Sequence, residues 1–293
     1  MTRIEQFGWR GAVEPGIGRV VSAHGDYYHL VCNEQPTGEI LARKKKSAFM
    51  RMKTIAPVNM KGKKISEERA ELPPQPLTGD FVRFRYNAQG ESMITEVLPR
   101  LSHFERKDPT AKRTSQTLAV NFDTLFVMMS LNENFSTARI RRYLDLAQDM
   151  GAAEVVVVVT KVDLRQDGDE EFFDELREEV GDDARILEIS SLTGEGMELV
   201  NEYVKPGKTL AFIGSSGVGK STLLNTLMGE EWQATQEIQE WSGKGRHTTT
   251  SRELVMLPSG AMVIDTPGIR EIGMIGEMDD LQAKGESTHR WRK

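Results

Sequence analysis

Apolar residues follow two different periods along the chain, and the change comes after residue 121. Before it, short runs alternate apolar and polar positions. Residues 16–23 (GIGRVVSA), 27–33 (YYHLVCN) and 38–41 each fit a short β-strand. The segment 81–86 (FVRFRY) alternates apolar and charged residues, as a half-buried strand does, and 91–98 fits a closing strand. About five strands of this length predict a small barrel of the OB type, with another small β domain as the alternative.

Residues 100–121 (RLSHFERKDPTAKRTSQTLAVN) are polar and basic, and read as a linker or mobile loop. Beyond them the apolar runs become continuous. Residues 124–130 (TLFVMMS), 154–160 (EVVVVVT) and 209–213 (TLAFI) have the character of strands buried on both faces. Between them, Ile140, Leu144 and Ala147 fall at helical spacing within 138–150. Residues 169–180 predict an acidic helix, 185–190 a strand and 195–204 a further helix. Strands that alternate with helices predict a mainly parallel α/β sheet. No internal repeat is visible.

The 293 residues suggest about two domains, drawn at 1–99 and 100–277 with a short tail at 278–293. Cys32 is the only cysteine, so neither an intrachain disulfide nor a cysteine-based zinc site is expected. The N-terminus has no apolar core of a signal peptide, and the longest strongly apolar run, 155–159, is far too short to cross a bilayer. A soluble cytoplasmic protein with no membrane partner is expected. The net charge of −6 conceals an asymmetry: residues 1–104 carry 16 Lys and Arg against 11 Asp and Glu, and the remainder is acidic. A basic segment at 43–64 contains Phe49 among its lysines. Lysines neutralise phosphates and an aromatic ring can stack on a base, which suits RNA. The alternative is a solvated barrel loop with Phe49 in the core.

The chemistry is concentrated in the second half. Gly214, Ser215, Ser216, Gly217, Val218, Gly219, Lys220 and Ser221 match G-x-x-x-x-G-K-[ST], after an apolar strand and at the start of the helix-like sequence STLLNTLM (221–228), which includes Thr222. Such a loop turns backbone N–H groups toward phosphate oxygens, while Lys220 adds a point charge and the Ser221 hydroxyl can ligate Mg²⁺. The base is chosen by Thr160, Lys161 and Asp163 in TKVD. An aspartate here accepts from the N1–H and N2–H₂ of guanine, a donor pair that adenine lacks. Ser190, Ser191 and Leu192 end the next strand, where a backbone N–H could reach the guanine O6. Asp265 and Gly268 form D-x-x-G, with Asp265 near Mg²⁺ and the Gly268 N–H sensing the γ-phosphate. Among the threonines of GKGRHTTT, Thr249 is favoured as the Mg²⁺-closing residue, with Thr248 and Thr250 not separable from it.

In most GTPases the P-loop comes first. Here TKVD and SSL precede it, and DTPG follows. With TKVD, SSLTGEGM, GSSGVGKSTLLN, GKGRHTTT and IDTPGIRE in this permuted order after a small β domain, residues 15–277 resemble the bacterial ribosome small-subunit-dependent GTPase A family, also called the YjeQ or YloQ family. The resemblance implies a GTP hydrolase acting late in maturation of the small ribosomal subunit. It further implies an OB domain that contacts ribosomal RNA, Mg²⁺ as cofactor, and hydrolysis stimulated by the subunit. A monomer is expected.

The position after DxxG that carries a water-orienting glutamine in Ras-like enzymes is Ile269 here, so another group must place the water. His247 is the candidate by its likeness to the family's GRHTTT histidine; a contact with RNA or solvent is the alternative. Family members usually continue into a C-terminal helical domain with a Cys/His zinc site. This sequence has no cysteine after Cys32, and His289 alone cannot hold zinc. A GTP-dependent RNA-binding module with impaired turnover is therefore kept as a second reading. A third, an ATPase with an OB domain, is opposed by the TKVD aspartate.

Overall fold

The computed structural model describes residues 1–45, 74–107, 115–131, 136–148, 150–215, 217–229 and 253–265. Five strands, β1 (Ile17–His24), β2 (Tyr27–Cys32), β3 (Ile40–Lys44), β4 (Phe81–Arg85) and β5 (Ser92–Val97), close a barrel in the order β1-β2-β3-β5-β4-β1. Every pairing is antiparallel except β3 with β5, which is parallel. This is the OB-type barrel that the alternating pattern predicts. Alternate residues point inward, and Val20, Tyr28, Leu30, Ile40, Val82, Phe84 and Ile94 fill the interior. Of the basic segment 43–64, Arg43 and Lys44 belong to β3 and Lys45 follows it; residues 46–64, Phe49 among them, lie outside the described residues.

The expected linker at 100–121 is instead an antiparallel hairpin, β6 (His103–Lys107) with β7 (Ser115–Val120). Its apolar residues are few, and Phe104, Leu118 and Ala119 are all buried against the next layer. The polar majority of this segment hides that short apolar face, which is why composition reads it as a linker.

The second half forms an α/β sheet ordered β10-β9-β8-β11-β13-β12. Its members are β8 (Thr124–Ser130), β9 (Glu154–Thr160), β10 (Arg185–Ile189), β11 (Thr209–Ile213), β12 (Glu253–Met256) and β13 (Met262–Asp265). The first five strands in that order run parallel, and β12 is antiparallel to β13. The N-terminal helix α1 (Arg3–Gln6) precedes the barrel. Helices α2 (Thr137–Ala147) and α3 (Glu170–Val180) pack on one face of the sheet, over Val127, Val157 and Ile213. On the other face lie α4 (Met197–Val200) and α5 (Lys220–Met228), over Phe126, Val158 and Phe212. Burial on both faces explains the unbroken apolar runs. The helix expected over 195–204 is only the single turn α4, and Tyr203 and Val204 pack from the turns after it.

The two halves share one continuous sheet, because β1 of the barrel pairs with β12 at Ser22 and Glu253. Arg19, on β1, completes the junction. It is 1% exposed, and its guanidinium donates to the carbonyls of Phe7 (2.6 Å), Asn121 (2.8 Å) and Gly79 (3.3 Å) and to the Thr209 hydroxyl (3.0 Å). Burial pushes Arg19 down to about 10, with Asp123 and Asp80 pulling the other way. No helix among the described residues is long and apolar enough to cross a membrane.

Candidate nucleotide-binding site

Parallel strands put their C-terminal ends at one rim, and ligands of open α/β sheets gather there. Strands β9, β10, β11 and β13 end at this rim with Thr160, Ile189, Ile213 and Asp265. The chain leaves β8 toward β9 on one side and β11 lies on the other, so strand order reverses between β8 and β11; the loop after β11 borders that point and the loop after β9 stands one strand away.

The loop after β11 turns sharply at Gly214, which has φ +153° and lies so close to β8 that a Cβ would stand 2.4 Å from the Met128 carbonyl oxygen. Gly219, at φ +97°, caps α5 and lets Lys220 open the helix. The Lys220 ammonium donates to the carbonyls of Gly214 (2.5 Å) and Ser215 (2.7 Å), so it is held inside the loop it serves. Val218 is buried beneath the loop, and Ser221 and Thr222 are exposed on the first turn of α5. Backbone N–H groups at the start of a helix, joined to an ammonium, form a site for an anion. Ser216 lies outside the described residues.

The loop after β9 is tied directly to this one. Thr160 is buried, and its hydroxyl donates to the Val218 carbonyl (2.6 Å) and lies 3.1 Å from the Met129 carbonyl. Lys161 then takes the left-handed conformation (φ 60°, ψ 38°), which costs a non-glycine residue of order 1 kcal/mol and is tolerated where the surroundings enforce it. A 3₁₀ turn, Val162–Leu164, follows, with Val162 buried and Asp163 exposed. Ser190, fully buried at the end of β10, donates from Oγ to Asp163 Oδ1 at 2.6 Å and accepts from the Leu192 and Thr193 N–H groups. The carboxylate is therefore oriented with one oxygen committed to the protein. Ser191 is half-buried beside it, and the Leu192 side chain is 84% exposed.

Two residues that sequence patterns named only loosely have defined tasks here. Thr160 fastens the loop after β9 to the loop after β11, and Ser190 orients the Asp163 carboxylate. Strand register brings the first within reach, since Thr160 pairs with Ser130 on the strand that separates β9 from β11. The backbone of Asp265 ends β13, beside β11. His247, Thr249 and Gly268 lie outside the described residues, as do Thr248 and Thr250. Among the described residues, no group of three or more His, Cys, Asp or Glu side chains is placed to hold a metal ion.

Residues 97–275 match the sequence model of the RsgA GTPase. The chain belongs to the RsgA GTPase family. A member from Leptospira interrogans serovar copenhageni, a small ribosomal subunit biogenesis GTPase, is 43% identical over 209 residues, which is 70% of this chain and 57% of the relative. The RsgA 2 protein of Lactiplantibacillus plantarum is 38% identical over 267 residues, 90% of this chain and 68% of the relative. The chain thus spans between half and seven-tenths of the length of these two RsgA proteins. Among solved structures, YjeQ from Thermotoga maritima superposes with a TM-score of 0.58 at 26% identity, covering 87% of this chain and 76% of that one. YloQ, described as a circularly permuted GTPase, gives a TM-score of 0.53 at 22% identity over 88% of this chain and 74% of its own, a likeness of fold alone. In this chain the loop after β9 precedes the loop after β11 in sequence and meets it in space.

Proposed function

We propose that this chain binds GTP at the rim formed by β9, β10, β11 and β13 and hydrolyses it while acting on the small ribosomal subunit during its maturation. The observation that carries the reading is the hydrogen bond from Thr160 to Val218, which fastens the base-reading loop to the phosphate loop across 58 residues of sequence. A single nucleotide then has its guanine at Asp163 and its phosphates at residues 214–222. Asp163, with Ser190 holding one oxygen, receives the two guanine donors. Lys220 and the N–H groups around Gly217 and Gly219 hold the β- and γ-phosphates.

Ser221, at the exposed start of α5, and Asp265, whose backbone ends β13, would supply hydroxyl and carboxylate oxygens, the hard donors that Mg²⁺ prefers. When bound, Mg²⁺ neutralises charge on the phosphates. Thr249 would join these ligands, Gly268 would report the γ-phosphate, and His247 would orient the attacking water in place of the missing glutamine.

On this reading residues 1–99 form the RNA-binding domain, 100–277 the GTPase domain and 278–293 a tail. The partner is the small subunit and its rRNA, and the protein is monomeric and cytoplasmic. The relatives' names, which join a GTPase to small-subunit biogenesis, support this reading. The test is GTP turnover with and without purified small subunits. Hydrolysis that is slow alone, rises severalfold with subunits and disappears in Lys220→Ala agrees with the proposal. Equal rates in both conditions would remove the coupling, and single-turnover rates unaffected by His247→Ala would remove that residue from the mechanism.

A further inference from the structure

The turn that carries Asp163 is fastened to β10 at two places. Asp163 meets Ser190, and two residues later Arg165 forms an ion pair with Glu188. Glu188 and Ser190 are also two apart. On extended chain that spacing puts both side chains on one side, so the two cross-links run side by side. Arg165 closes the 3₁₀ turn through its N–H to the Val162 carbonyl (3.0 Å). Its guanidinium lies 4.2 Å from the centre of the Phe173 ring, which is buried on α3. Arg177, also on α3, donates to the second Glu188 oxygen at 3.1 Å. Glu188 therefore takes an arginine from the turn and another from the helix, and Phe173 supplies the surface on which the first one rests.

An exposed ion pair alone contributes little. This one has a planar cation stacked on a fixed ring and a carboxylate held by two arginines, an arrangement that sets distance and angle as well as charge. From this geometry we infer that Arg165 and Glu188 are positioning residues for base selection: they hold the Asp163 turn at the spacing from β10 at which its carboxylate accepts two donors from guanine. Neither touches the base. The inference rests on the nucleotide site proposed above and adds a determinant of purine selectivity outside the TKVD motif.

Selectivity between GDP and IDP isolates the effect, because hypoxanthine keeps N1–H but lacks the exocyclic amine. A carboxylate held at the right angle gains from that amine, and a loose one gains less. Competition of GDP, IDP and ADP against a ribose-labelled fluorescent GDP should be measured on the parent chain, Arg165→Met, Arg165→Lys and Glu188→Gln. The GDP-to-IDP affinity ratio is expected to fall about fivefold in Arg165→Met and Glu188→Gln. Arg165→Lys, which keeps the charge but not the planar stack, should fall in between. A merely structural contribution would weaken GDP and IDP equally. Ratios within twofold of the parent in Glu188→Gln and in whichever Arg165 variants fold would overturn the inference. A parent chain that does not prefer GDP over ADP would instead overturn the base-reading assignment itself, and the inference with it.

Discussion

Replacing Arg19 with methionine should cost this protein about 4 kcal/mol of stability. The side chain makes four hydrogen bonds to oxygen, reaching Phe7, Gly79, Asn121 and Thr209, and lies 3.5 Å from the Met262 sulfur. Bonds to a charged donor are each worth about 1.5–3 kcal/mol, roughly 6–12 in sum. Against this stands the cost of burying the cation. Burial lowers the pKa of Arg19 to about 10, against the pull of Asp123 and Asp80, so the cation is held at a cost that offsets part of this gain. Gly79 retains a partner in the Asn121 side-chain amide (3.2 Å), so not every carbonyl is orphaned. Arg19 also sits over the Phe81 ring at 4.9 Å, and that contact is lost too. A net loss near 4 kcal/mol lowers the melting temperature by about 8–16 °C for a domain of this size. Differential scanning calorimetry measures it. Arg83→Met is the control, since Arg83 lies on β4 with its side chain 47% exposed and pairs with the exposed carboxylates of Glu14 and Glu96; its effect should stay below about 0.5 kcal/mol. A melting temperature for Arg19→Met within 2 °C of the control would refute the reasoning.

Three further outcomes are expected. Thr160→Val removes the hydroxyl that joins the two loops, and nucleotide affinity by fluorescence titration should fall about tenfold; an unchanged affinity would show that the clamp is idle. Gly214→Ala places a Cβ 2.4 Å from the Met128 carbonyl oxygen, so the phosphate loop must shift, and nucleotide binding by calorimetry should be lost or weakened at least a hundredfold. Asp123 tests electrostatics at the junction. Burial alone would raise its carboxyl, but the Thr209 N–H, Arg10 and Lys208 outweigh this and hold it below the usual carboxylate range. The unfolded chain then takes up the proton first as pH falls, so the stabilisation is complete above the ordinary value near 3.9 and is lost as pH drops through the lower folded value. Asp123→Asn should cost about 1–2 kcal/mol at pH 7 and flatten the acid limb of the denaturation profile. Asp80, raised by burial despite Arg100, has the opposite sign and contributes equally to parent and variant, so the difference between their profiles isolates Asp123.

The pattern of apolar residues was enough to read the barrel and the parallel sheet, because both obey a period that burial enforces. Alternation in FVRFR follows a one-sided barrel strand, and the unbroken EVVVVVT follows a strand covered on both faces. The β6–β7 hairpin was not legible. Its buried face rests on Phe104, Leu118, Ala119 and Val120, too few to stand out from a basic surround. Strand β12 was also missed: four residues, of which Leu254 is buried, carry no period. In the site, motif spacing marked TKVD and the phosphate loop, but their junction depends on the contact between Thr160 and Val218, which no local window contains. Arg19 was invisible for the same reason, since its partners come from four distant segments of chain.

The central claim is that Asp163 reads the base of the nucleotide whose phosphates rest on Lys220. Exchanging Asp163 for asparagine reverses one hydrogen-bonding group, so binding of GDP and of XDP to the parent chain and to Asp163→Asn tests it most directly. The account predicts that the variant loses at least tenfold in GDP affinity and gains preference for XDP, while Lys220→Ala weakens both nucleotides alike. Unchanged GDP affinity in Asp163→Asn would contradict it.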